Sequence, residues 1–203
     1  MGIRVEFYQG ARDGLESILI EHMPEFRNWS EEQKDFPSSV LHAAERVIEI
    51  GGDAFLADSH VAAREIDLLT DYFVCGYCDY GPGRNILGSP CTNMLKIHNY
   101  QACLPYIVAT HDLELVSWWE LMLSGRPIRR NPVPFPYSGG GIPVSFATAE
   151  EIPRFLRTLE KIRILKSNED AREAGWAGSA RSVAIEAMNI AASRKTGLVI
   201  TIV

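Results

Sequence analysis

The chain closes on Leu198-Val199-Ile200-Thr201-Ile202-Val203, a run whose aliphatic and β-branched side chains occupy both parities. Successive side chains of a strand point to opposite faces, so a strand apolar at every position is one that the fold buries on both. The run therefore predicts an interior strand, and a central one. At the other end Ile3 to Tyr8 alternates, placing Ile3, Val5 and Phe7 on one face and Arg4 and Glu6 on the other. A small domain needs its two clearest strands in one core, which puts both termini in one sheet.

Helical spacing fills most of the interval. Leu15, Ile18, Leu19 and His22 share a face that Pro24 is expected to end. Ser38 offers a cap for Val40, Leu41, Ala44, Val47 and Ile48, with Gly51-Gly52 as the stop. Ala62, Ile66, Leu69 and Phe73 form a third stripe, starting near Asp58 and delivering Cys75 to a loop. Tyr100 to Val108 reads as helix interrupted by Pro105, and Thr110 to Leu123 as a short helix. Val144 to Phe146 suits a short strand. Thr148 and Glu151 form a capping-box pair before Ile152, Phe155, Leu156, Leu159 and Ile162. After a polar interval, Lys166 to Gly178, a last helix carries Val183, Ala184, Ala187, Ile190 and Ala191, with Gly197 at its C′ position.

The pattern predicts a single α+β domain over residues 1–203, with a small mixed sheet built from the terminal strands and covered by several helices. Two stretches read as elaborations: the Cys-containing helix-loop segment 71–111, and the Pro/Gly-rich loop 125–143, where lost donors and free backbone exclude a regular element. The net charge of -6 is uneven. Residues 1–100 carry 8 Lys+Arg against 16 Asp+Glu, and an acidic half repels phosphate backbones, so nucleic-acid binding is not expected. No signal-peptide pattern and no apolar run of spanning length is present, which points to the cytoplasm and away from a membrane.

The opening Met-Gly-Ile strand, the Val144-to-Ile162 unit with its Thr-Ala-Glu-Glu, and the closing helix-Gly-strand resemble the YfbM-like family of uncharacterised bacterial α+β proteins. The resemblance covers about a third of the chain and implies a fold of that type. It carries over no catalytic residue.

The chemistry-bearing side chains gather between Asp71 and Trp119. Cys75-x2-Cys78 has half of a zinc knuckle's spacing and lacks the other half, since Cys91 and Cys103 have eleven residues between them; neither a metal nor another cofactor is expected. His111 beside Asp112 and Glu114 has the makings of an oriented general base, or of a plain helix start capped by Thr110 or Asp112. His98 lacks a carboxylate neighbour. Gly81-Pro82-Gly83-Arg84 offers amides and a guanidinium to an anion but lacks phosphate-loop spacing, so a plain turn fits it better. Trp118-Trp119 points two indoles about 100° apart, so one is expected to pack inward and the other to meet the Pro-rich loop or a ligand.

Two functions follow as expectations. One is a binding or interaction protein whose small-molecule or protein partner meets Tyr77, Arg84, Trp118, Trp119 and Tyr137. The alternative is a small enzyme using His111 or His98 as acid/base and Cys75 or Cys78 as nucleophile.

Overall fold

A computed structural model of the chain describes residues 4–10, 16–34, 36–57, 68–70, 72–78, 81–87, 90–124, 144–164 and 171–202. In chain order these form β1 (Arg4–Gln9), α1 (Glu16–Glu21), α2 (Met23–Glu31), α3 (Ser38–Ile50), α4 (Gly52–Ala57), a π-helical turn (Tyr72–Cys78), α5 (Arg84–Leu87), β2 (Leu95–Lys96), α6 (Ile97–Val108), α7 (Leu113–Ser124), β3 (Val144–Ala147), α8 (Ile152–Lys161), α9 (Ala171–Arg194) and β4 (Leu198–Ile202). The Pro/Gly-rich loop 125–143 and most of the stripe expected from Asp58 onward lie outside the described residues.

The strands form one sheet in the order β2-β1-β4-β3. The α+β reading holds, both terminal strands share the sheet, and β4 is interior with all five residues buried. The pairings are antiparallel throughout, where a mixed sheet was expected. The register sets Phe7 opposite Ile200 and Tyr8 opposite Val199. Because directly opposed residues share a face, this divides the apolar side chains into two sets. Val5, Phe7, Leu198, Ile200, Ile202 and Ala147 face a core shared with α6 to α9. Tyr8, Val199 and Phe146 face a second core, shared with α1 to α4 and the π-helical turn.

On the first face, Ala177, Ala180, Ala184, Ala187 and Ala191 of α9 are wholly buried at helical spacing. So small a stripe lets α6 come close, and α6 fills the contact with Tyr100, Cys103 and Ile107. α9 starts at Ala171, inside the expected polar interval, and carries Gly175 and Gly178 within it. The alanines around them, Ala174, Ala177 and Ala180, are buried, and their helix propensity and packing outweigh a glycine cost of about 1 kcal/mol each. Pro105 sits inside α6, which runs on without a break.

On the second face, Phe26 contacts the rings of Trp29, Phe36, Phe73 and Tyr77, with centroids 5.6 to 6.1 Å apart. Pro24, expected to end a helix, instead opens α2 within its first two positions, where its missing N–H costs nothing. α3 begins directly after Pro37, so Ser38 is its first residue rather than its cap. Its stop is as expected, with Gly51 at φ 83°.

The end of α9 differs from its expectation. Lys195, not Gly197, takes the left-handed conformation, at φ 57°. The Thr196 N–H donates to Ala191 O at 3.0 Å and the Lys195 N–H to Ala192 O at 3.2 Å, the two bonds of a Schellman stop. Gly197 serves the strand that follows, its carbonyl accepting from the Gly10 N–H at 2.9 Å. A Cβ at a left-handed C′ position is strained, so Lys195→Gly should raise the unfolding free energy by about 0.5–1 kcal/mol. Chemical denaturation of the two proteins measures the difference, and a loss of stability would contradict this account of the stop.

Candidate functional site

The residues singled out between Asp71 and Trp119 are distributed between the two cores. Tyr77 and Cys78 are buried on the second face, where Tyr77 packs against Phe26, Trp29 and Phe73. Gly81 and Gly83 lie against it: a Cβ on Gly83 would stand 2.6 Å from the Tyr77 ring, and one on Gly81 2.8 Å from its carbonyl oxygen. The Gly-Pro-Gly turn thus covers Tyr77, and Arg84 follows it, exposed, at the start of α5. The Cys75 side chain and all of Tyr137 lie outside the described residues. Among the described residues no three of His, Cys, Asp and Glu are grouped to hold a metal ion.

Both indoles of Trp118-Trp119 are buried in the first core; the Pro-rich loop that one of them was expected to meet lies outside the described residues. Each buried N–H has a carbonyl: Trp118 Nε1 donates to Phe146 O at 3.0 Å and Trp119 Nε1 to Tyr100 O at 3.1 Å. Trp118 also stacks on Phe155 with centroids 5.0 Å apart. With their donors satisfied, both residues act as core anchors.

His98 and His111 stand at opposite ends of α6, whose 12 residues span about 18 Å. His98 packs on Trp176 at 4.4 Å, and the Arg172 guanidinium lies 4.7 Å from the same indole. His111 is exposed in the α6–α7 turn at φ 58°. Asp112 does not orient it. One carboxylate oxygen of Asp112 accepts the Leu115 N–H at 3.1 Å, capping α7, and the other accepts the Thr158 hydroxyl at 2.8 Å. Thr110 completes the turn, donating to Ile107 O at 2.7 Å while accepting the Asp112 N–H at 3.2 Å.

This turn walls an open cavity of about 550 Å³. Tyr106, Ala109, Thr110 and Asp112 line one side; Thr158, Lys161, Ile162 and Arg163, from the end of α8 and just beyond, line the other. The capping box at Thr148 and Glu151 fixes the start of α8, the Thr148 N–H donating to the Glu151 carboxylate at 2.9 Å and the Glu151 N–H to the Thr148 hydroxyl at 3.3 Å. Arg181 holds its far end, donating to Leu159 O and Glu160 O, each at 2.8 Å. The cavity therefore rests on two helix ends fixed by side-chain bonds. Lys161 and Arg163 form no ion pair among the described residues, whereas Arg154 in the first turn of α8 is paired with Glu114. Two such cations beside the Tyr106 hydroxyl suit an anion, whereas the Thr110 and Thr158 hydroxyl protons are already given to Ile107 O and Asp112. Of these residues the sequence singled out Thr110 and Asp112 as helix caps and Ile162 as part of an apolar stripe; the signal for the cations was the Lys161-Ile162-Arg163 spacing at a helix end.

The Cys91 and Cys103 thiols rest in the protonated form. Burial pushes Cys103 up to about 12 against a slight lowering by Arg181, and burial likewise raises Cys91. Desolvation also raises Tyr100, whose hydroxyl has no partner. Cys91 and Cys103 are free thiols. Comparison of the chain with protein-family models, curated proteins and solved structures returned no match to any of them.

Two measurements follow. A thiol with a raised folded pKa stabilises the fold fully below its unfolded value and loses that contribution as pH rises toward the folded one. Between the ordinary value of 9.0 and about 12, Cys103 should therefore cost about 1.4 kcal/mol of stability per pH unit. Unfolding curves of the native chain and Cys103→Ala should converge across that window; parallel curves would exclude this linkage. Removing the unpaired hydroxyl by Tyr100→Phe should leave stability unchanged or raise it by about 1 kcal/mol. A loss of 2 kcal/mol in thermal unfolding would show that the hydroxyl is bonded.

Proposed function

We propose that the protein is a binding protein whose ligand is a small organic anion, seated in the cavity between the α6–α7 turn and the end of α8. The observation that supports this most is that Lys161 and Arg163, neither in an ion pair among the described residues, line the cavity on the side opposite Tyr106. An ammonium supplies a point charge and a guanidinium a planar fork, the combination that recognises a carboxylate or a phosphate. Binding is favoured over catalysis by what surrounds the sequence-nominated groups. Asp112 is committed to Leu115 and Thr158, the two histidines are an α6 length apart, and the Cys103 thiol is held protonated.

The free thiols Cys91 and Cys103 support a reducing compartment, which we take to be the cytoplasm. Among the described residues no helix is long and apolar enough to cross a membrane. We also propose kinship with the bacterial YfbM-like proteins; the segments that carry that resemblance form β1, β3 with α8, and α9 with β4.

Titration with citrate, acetate and inorganic phosphate, followed by thermal shift and amide chemical shifts, tests the reading. At least one anion should saturate with shifts at Thr110, Thr158 and Ile162, and Lys161→Ala combined with Arg163→Ala should weaken it at least tenfold. Anion binding untouched by the double substitution would place the ligand elsewhere.

A further inference from the structure

The cavity that presents Lys161 and Arg163 also presents the carboxylate of Asp112. None of the three is in an ion pair among the described residues, and the neighbouring carboxylate of Glu114 is neutralised by Arg154. Asp112 and Thr158 are half-buried, and their hydrogen-bonding capacity is only partly used. Each carboxylate oxygen of Asp112 accepts one bond, from the Leu115 N–H and from the Thr158 hydroxyl, whereas a carboxylate has about four acceptor positions. Thr158 gives its proton to Asp112, and its oxygen keeps its lone pairs. The cavity wall thus offers donors from Lys161, Arg163 and Tyr106 and, with them, acceptors on Asp112 and Thr158 that none of the described residues fills. A bare anion meets the first set and is repelled by Asp112.

Resting on the anion reading above, we propose that the ligand is an acidic α-amino acid, whose two carboxylates meet Lys161 and Arg163 and whose ammonium meets Asp112 and Thr158. The charges match group for group: two cations and one carboxylate on the protein, two carboxylates and one ammonium on the ligand. An ammonium carries three donors and no acceptor, so it fills the open positions on Asp112 and on Thr158 Oγ1, with water for the third. The spacing is on the scale of such a molecule. Thr158 Oγ1 stands 2.8 Å from the Asp112 carboxylate, and Lys161 follows Thr158 by three positions on α8, which sets their Cβ atoms about 5–6 Å apart. Ile162, extended at the end of that helix, carries the chain on to Arg163. With two cations lining the same open cavity of about 550 Å³, a simple amine is repelled; an amine that brings its own carboxylates is not.

L-Glutamate and glutarate test this, since they share both carboxylates and the carbon chain and differ in the ammonium. Each is titrated at neutral pH into the full chain, by calorimetry and at the Thr110, Leu115 and Thr158 amides by NMR, with n-butylammonium as a third probe. Glutamate is expected to bind about tenfold or more tighter than glutarate, the worth of hydrogen bonds to a charged group, and butylammonium is expected not to saturate. Asp112→Asn keeps an acceptor for the Leu115 N–H. In that variant the preference for glutamate should fall to about threefold or less while glutarate binds at least as tightly as before, and retained glutarate binding with cooperative unfolding shows the cavity intact. Should the variant not fold, the comparison of the two ligands on the native chain decides alone. Equal affinity for glutamate and glutarate, saturable binding of butylammonium, or a glutamate preference unchanged in Asp112→Asn would each overturn the assignment to an amino acid, and equal affinity would leave the anion reading standing. Binding of neither overturns it as well, and removes the anion reading too if citrate, acetate and phosphate are also silent.

Discussion

The whole arrangement depends on burying β4 on both of its faces. Leu198, Ile200 and Ile202 point into one core and Val199 into the other, so neither set of helices can be removed without exposing the sheet's central strand. Full burial of a Val, Leu or Ile side chain contributes about 1.5–3 kcal/mol, and in β4 only Thr201 interrupts a run of such residues. The two cores differ in how they fill their space. The first combines an alanine stripe on α9 with two tryptophans; the second is built of aromatic rings meeting edge to face or tilted around Phe26.

That central strand was the most legible part of the sequence, because parity alone demands it. The capping box at Thr148 and Glu151 was equally plain, since a hydroxyl and a carboxylate three residues apart satisfy each other's N–H groups in one geometry. Pro24 misled because proline both ends and begins helices, and only the packing of Phe26 and Met23 decides which. The early start of α9 was hidden by two glycines whose weak propensity is overridden by buried neighbours. Lys195 replaced the expected glycine at a left-handed position because the tertiary context, the entry into β4, fixes the turn.

The candidate sites were harder to read for a physical reason. A cavity is made by elements far apart in the chain, and no local spacing encodes that Thr158 meets Asp112 across 46 positions. His111 and Asp112 looked like a dyad because they are adjacent, yet the helix start claims the carboxylate and the turn leaves the imidazole in solvent.

The indole bond from Trp118 to the Phe146 carbonyl bears on how the molecule behaves in a crowded solution. β3 is an outer strand of the sheet, and an unclaimed row of carbonyls there would invite a strand from another molecule. Trp118 occupies one of those acceptors with a side chain buried in the first core. At the opposite side the outer strand, β2, is only two residues long and ends in the charged Lys96. One flank is thus blocked by a ring and the other by brevity and charge, so a sheet with so apolar a centre gives neighbouring chains little to extend.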